Sequence, residues 1–405
     1  MPRHRAEPAS IVFGVLRRSR DFRLFWAGSL IASLGLWIQT IALGWLVFAL
    51  TRKASWLGTV SFVGNAPTFV LGLVGGAVAD RMSRRAIMIA SLLVLAASAI
   101  ALSTLAALDA VTIWRVIGLA VITGTANAVY SPAMHSSIPS LVEERDLLEA
   151  VSLNSVQFNL ARAVGPAVAG LLYGAVGPAG CFAVNAAGFL FLAGVISRLR
   201  LPARPAVVQQ PLGRALRDGL GYVRRHPVIG PAMTLAAVMS LFGFPYIIMM
   251  PALASEVLGL DATGLGWLMA AIGAGAVVGG LILSLAGRRG GAPRVVDLGS
   301  ICFGLAVVAF PWVRTPRDMI MLLVLLGALQ TVTIASMTTT MQMSVHDAMR
   351  GRVMSILTVV FFGLATLGGV IAGTVGDRVG VPRALAAGGV ITTLAAIALA
   401  VRRRS

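Results

Sequence analysis

Between the second and third long apolar runs lies Gly76-Ala77-Val78-Ala79-Asp80-Arg81-Met82-Ser83-Arg84-Arg85. One carboxylate at a helix end is followed by three guanidinium groups. Asp80 needs positive partners, which Arg81, Arg84, Arg85 or the positive N-terminal end of a neighbouring helix can supply. The second loaded position is Arg162, the one ionisable side chain near the middle of an apolar run. An arginine at that depth of a bilayer costs about 2.5–3.5 kcal/mol on insertion scales, so it must face a protein interior or water. Ser155 and Asn159 share its helical face. Two roles fit it: a contact for an anionic or carbonyl-rich ligand, or a clamp on backbone carbonyls or a neighbouring helix.

Bond-making chemistry finds little support. The histidines, His4, His135, His226 and His346, have no metal-ligand spacing, and no nucleophile–base pairing stands inside the apolar runs. A phosphate loop of the Gly-x-x-x-x-Gly-Lys-Ser type is absent. Cys181 and Cys302, both in apolar runs, read as packed thiols. The expectation is a non-enzyme with neither cofactor nor metal. Proton movement would need a side chain that changes charge. Asp80, Asp297 just inside the ninth run and His135 near the end of the fourth are the candidates. A latch role competes for Asp80, and a helix-end hydrogen bond for Asp297 and His135. Glu256 and Asp377 lie near outer ends.

The composition says what must hold these residues. Of 405 residues, 58% are hydrophobic and only 12% charged, and the mean hydropathy is +0.89. Soluble domains carry about 25% charged residues. A membrane-spanning helix takes about 20 apolar residues, and the chain has room for a dozen. The net charge of +18 would suggest nucleic acid in a soluble protein. Here the basic residues fall in short runs between apolar segments, which excludes that partner and leaves the lipid bilayer.

The pattern predicts twelve helices. The first six cover about 24–50, 55–79, 86–107, 111–140, 150–176 and 179–198. The second six cover about 228–254, 262–286, 295–313, 318–345, 352–376 and 382–401. With the N-terminus in the cytoplasm, 25 of the 33 basic residues lie in cytoplasmic segments, seven lie outside, and Arg162 is mid-span. The positive-inside rule therefore places both termini in the cytoplasm. Residues 199–226 break the apolar pattern with Pro202, Pro205 and Pro211, then Leu212, Leu216, Leu220 and Val223 on one helical face. That fits a linker carrying a helix on the inner membrane surface.

The chain also repeats itself. Gly75-Gly76 and Arg84-Arg85 match Gly279-Gly280 and Arg288-Arg289. Val142, Ser152, Gly165, Gly170 and Gly177 match Val345, Ser355, Gly368, Gly373 and Gly380. Ser284 stands where the first copy has Asp80. The expected fold is all-α: two pseudo-symmetric six-helix bundles, residues 1–198 and 227–405. Two bundles rocking about a midplane site are a transporter arrangement.

The Gly76–Arg85 loop resembles the Gly-x-x-x-Asp-Arg-x-Gly-Arg-Arg signature of the major facilitator superfamily, with Ser83 replacing a glycine. In that family the partner of the acid is the eleventh helix, which here starts near Arg352. Ala161 to Gly170 is similar to the antiporter motif Gly-x-x-x-Gly-Pro-x-x-Gly-Gly, with Gly165, Pro166 and Gly170 retained. Residues 20–26 and 131–177 resemble the enterobactin-exporter-like, or transmembrane secretion effector, branch. The resemblance implies a monomeric secondary transporter of a bacterial inner membrane. It would export a small amphipathic molecule such as a drug or siderophore by alternating access, with proton antiport. An uptake permease or uniporter is the alternative in mechanism, and a non-transporting sensor the alternative in class. Family architecture puts the cavity candidates on spans one, four, five, seven and ten: Gln39, Asn127, Tyr130, Asn159, Arg162, Phe244, Tyr246 and Gln330.

Overall fold

The computed structural model describes residues 14–72, 83–199, 212–286 and 293–402. Among these, ten helices are long and apolar enough to cross a membrane. In order, α1 is Gly14–Arg18, α2 Arg20–Thr51, α3 Ala54–Gly72, α4 Arg84–Ala107, α5 Ile113–Ser137, α6 Leu147–Arg198 and α7 Leu212–Arg225. Next are α8 Ile229–Val238, α9 Ala262–Ala286, α10 Pro293–Val308, α11 Pro316–Ser344, α12 Asp347–Val379 and α13 Val381–Arg402. The acid of the Gly76–Arg85 loop lies outside the described residues, as do Gly76 and Arg81, the proline-rich part of the linker and Arg288-Arg289.

Helix α6 runs 52 residues but is two legs. Gly177 at φ 66°, ψ −175° leaves helical geometry, a region open essentially to glycine, and Pro178 follows. The break falls where the sequence predicts the division between two spans. The predicted seventh span is less regular than a single helix. After α8 the chain passes through π turns at Met239–Gly243 and Leu253–Val257, with short α-helices at Pro245–Ile248 and Met250–Ala252 between them. Pro245 and Pro251 lack the N–H that an unbroken helix needs, and wider turns absorb the defect.

Arg84, Arg85, Arg198, Arg217 and Arg224 gather at one end of the bundle, hereafter the basic face. The opposite end is the far face. The packing differs between them. One core cluster joins residues 229–396 to far-face residues of the first half, including Phe48, Leu57, Leu102, Ala169 and Phe182. A second, with Phe22, Phe25, Met88, Leu92, Leu153 and Ile196, belongs to the basic-face end of the first half. The two halves share a core at the far face and have separate ones at the basic face.

The predicted surface helix is present as α7. Its Gly219–Val223 edge is buried on α12, whereas Leu220 is exposed. A Cβ on Gly219 would approach Ile356 Cδ1 to 2.9 Å.

Candidate functional site

Among the described residues the two most extensive helix crossings between the halves are α6 with α9 and α3 with α12. At the first, Gly170 lies against Gly266, and Gly273 lies against Ala163 so closely that a Cβ would reach its Cα at 2.8 Å. Thr263 Oγ1 also donates to the Gly170 carbonyl at 3.3 Å. At the second, Gly58 meets Gly369, and Gly373 meets Ala54 and Ser55. These contacts are in the far-face half of each crossing, where glycines let backbones touch.

The same helix faces are open in the basic-face half. Residues 100° apart in register place Ser152, Ser155, Asn159 and Arg162 in line with Pro166 and Gly170 on α6. The first three are exposed and Arg162 is half-buried. On α12, Gly351, Ser355, Thr358 and Phe362 continue the face of Gly369 and are exposed. On α9, Val277, Gly280 and Ser284 continue the face of Gly266 and Gly273 and are exposed too. Three helices thus present one face that is sealed above and bare below. The result is a cleft between the halves opening on the basic face. Ser152 and its repeat mate Ser355 take equivalent places in it.

Arg162 stands at the apex, beside the Ala163–Gly273 contact. Ser152, Ser155 and Asn159 return their hydrogen bonds to their own helix, to the carbonyls of Leu148, Val151 and Ser155. Among the described residues the Arg162 guanidinium makes no hydrogen bond or ion pair. Its electrostatic neighbour is Tyr246, whose hydroxyl donates to Gln330 Oε1 at 2.8 Å. Tyr246 is fully buried and is backed by Phe303 and Phe310. Phe244 is also buried, against Phe303 and Phe361. These residues form a wall behind the apex rather than an exposed lining. Asn127 and Tyr130 are half-buried on α5.

Gln39 is elsewhere. It is buried, and its Oε1 accepts from Asn185 Nδ2 at 2.7 Å, so it ties α2 to the second leg of α6 inside one half. The expectation that it lines a cavity does not describe this structure. Replacing Gln39 with leucine should lower stability by about 1–3 kcal/mol, because the Asn185 amide stays buried without its acceptor. Thermal unfolding in detergent would register this, with the substrate profile unchanged.

Arg84 and Arg85 brace their own half. Arg84 Nη1 donates to the Ser136 carbonyl at 3.1 Å, and Arg85 donates to the Ser197 carbonyl. Both acceptors are at helix C-terminal ends, where positive charge is favoured. Arg352 pairs with Asp218 of α7 at 3.7 Å, which binds the surface helix to α12. His135 is exposed near the basic-face end of α5, and Asp297 is buried near the start of α10. Gly165 packs on Trp37 and Gly170 on Gly266, so the antiporter-type motif serves helix contact on two sides. Pro166 is buried between them.

A cluster missed by the sequence reading anchors the N-terminal segment. Arg18 holds Asp146 in two hydrogen bonds, at 2.8 and 3.2 Å, and reaches Glu149 at 3.1 Å. Glu149 also accepts from the Val15 N–H at 2.9 Å. The Asp146 hydrogen bond, with help from neighbouring acids, holds the Arg18 guanidinium above its ordinary pKa against a small opposing burial effect.

Comparison with known proteins agrees with this architecture. The transmembrane secretion effector family matches residues 13–404. The staphyloferrin A transporter of Staphylococcus aureus is 25% identical over 91% of this chain and 93% of its own length. The multidrug efflux pump Tap of Mycolicibacterium fortuitum is 26% identical over 87% of this chain and 88% of its own. The enterobactin exporter EntS of Shigella flexneri is 26% identical over 85% and 82%. Among solved structures, an inward-facing, unoccupied bacterial homologue of the human lysosomal transporter Spinster superposes with a TM-score of 0.76 at 14% identity, covering 95% of this chain and 96% of that one.

Proposed function

The chain belongs to the transmembrane secretion effector family of the major facilitator superfamily, and on that footing we propose that it exports a small amphipathic molecule by alternating access. It is a multi-pass membrane protein whose relatives include a staphyloferrin A transporter, an efflux pump and an exporter. Counting the legs of α6 separately and adding α3 to the ten long apolar helices gives twelve crossings. We assign them to two six-helix halves, 1–198 and 227–405, joined by the linker 199–226. The basic face is cytoplasmic by the distribution of arginine, in a bacterial inner membrane. The protein is then captured open to the cytoplasm, the state in which an exporter loads.

The observation that carries this reading is the continuous face of α6. Gly170 and Pro166 seal it on the outer side, and Asn159, Ser155 and Ser152 leave it bare on the inner side, with Arg162 at the boundary. A guanidinium with no acceptor among the described residues, at the apex of an apolar cleft edged by hydroxyls, suits an anionic or carbonyl-rich group on an otherwise apolar molecule. Exchange for protons is part of the proposal, with Asp80, Asp297 and His135 as candidate carriers, and the unit is a monomer.

The test is accumulation of a compound panel in an efflux-deficient host, with and without a protonophore. The panel spans lipophilic cations, neutral macrocycles and anionic catecholates. Lower accumulation of the anions, reversed by the protonophore, is expected. Higher accumulation that ignores the protonophore would make the protein an uptake permease or uniporter instead.

A further inference from the structure

At the far face the last turn of α12 meets the first turn of α3. Asp377 Oδ1 accepts from the Ala54 N–H at 2.7 Å, and Oδ2 accepts from the Ser55 N–H at 3.3 Å. Such first-turn N–H groups have no acceptor within their own helix, and a negative charge meets the positive end of the helix dipole there. Both bonds run between the two halves. They close the crossing just beyond the contact of Gly373 with Ala54 and Ser55.

The sequence around the acid reads Gly373-Thr374-Val375-Gly376-Asp377-Arg378-Val379-Gly380. That is the Gly-x-x-x-Asp-Arg spacing of Gly76 to Arg81, found again in the second half of the chain.

We infer that Asp377 is the latch of the outer gate, its carboxylate capping α3 to hold the outer side shut while the cleft faces the cytoplasm. The inference rests on the alternating-access reading above. Releasing these two bonds is then part of every turn to the outward-open state, and remaking them part of every return.

The charged surroundings give the latch a pH response. The charges of Asp377 and Arg52 both act on Glu256, in the turn Leu253–Val257. Lys53, Arg378 and Arg383 flank the same corner. Partial burial, then the Asp377 charge, push the Glu256 carboxyl up, and Arg52 opposes them. The closed gate therefore favours a proton on Glu256. When the gate opens, Glu256 parts from the Asp377 charge and its pKa returns towards the ordinary value. Closure is strongest below the ordinary carboxyl pKa and is weakened as pH rises through the raised one, when Glu256 acquires its charge.

The experiment uses the full chain in lipid nanodiscs, with Cys181→Ala and Cys302→Ala to remove the native thiols. Spin labels go on Leu108→Cys and Arg317→Cys, exposed positions on the far face of the two halves. The unmodified latch should give a short inter-label distance, with a longer one growing as pH rises. Asp377→Ala should raise the ratio of long to short distance about tenfold or more, the factor one charge-assisted hydrogen bond carries. Asp377→Asn, which keeps the shape and loses the charge, should give a smaller increase and covers failure of the alanine variant to insert. Glu256→Gln should stay closed at all pH values tested. Short distances and an unchanged pH response in both Asp377 variants would overturn the latch. The readout is a distance, so export itself stands or falls on the accumulation assay.

Discussion

Export of anionic compounds should fall at least tenfold or so when Arg162 is replaced by alanine, while neutral and cationic compounds are handled as before. A hydrogen bond to a charged group contributes about 1.5–3 kcal/mol, equivalent to roughly 10- to 150-fold in affinity. That contribution goes to the ligand only if the guanidinium is not already engaged. Among the described residues it has no acceptor, and its neighbour Tyr246 spends its hydroxyl on Gln330. Removing the charge also removes an insertion cost of about 2.5–3.5 kcal/mol, so the variant should reach the membrane at least as well. Arg162→Lys keeps the charge but loses the planar fork and should be intermediate. Ligand-dependent fluorescence of the purified protein, together with efflux of each compound class, decides the matter. A uniform loss across classes with a lower unfolding temperature would favour the clamp role instead.

The membrane architecture was legible because a bilayer imposes length: twenty apolar residues make a span whatever they contact. The repeat was visible as matched residues: Gly170 and Gly373 both stand at backbone-close crossings, and Ser152 and Ser355 are both exposed. Facing was not legible. A mid-span glutamine has the same appearance whether it meets a ligand or another amide, and only the fold brings Asn185 to Gln39. Phe244 and Tyr246 were cavity candidates, and the fold buries both behind the apex, in a segment broken by π turns at Met239–Gly243 and Leu253–Val257. Pro245 and Pro251 were the available signal for the irregularity. Asp377 was read as a helix-end acid. The glycine four residues before it and the arginine after it repeat the Gly76–Arg81 spacing, but at the end of a span where no basic loop was expected.

Gly170→Val should abolish most export of every substrate class, again without preventing insertion. A Cβ at Gly170 would come to 2.8 Å from Gly266 Cα and 3.0 Å from the Thr263 carbonyl. Both obstacles are backbone, so no rotamer change relieves them and α6 and α9 must separate. Overpacking of this kind costs about 1–3 kcal/mol, which shifts a two-state equilibrium roughly 5- to 150-fold. The cost falls only on the state in which the outer side is sealed. The variant should therefore dwell outward-open and return slowly to the loading state. Cytoplasmic substrate would then bind weakly whatever its charge, in contrast to the selective loss expected at Arg162. Gly174, one turn further along, supplies the control. A Cβ there would meet only the Thr263 hydroxyl, at 2.9 Å, and a hydroxyl rotor can move aside. Gly174→Ala should therefore retain most activity. If it proved as damaging as Gly170→Val, small side chains in general, rather than the Gly170–Gly266 contact, would be what the crossing requires.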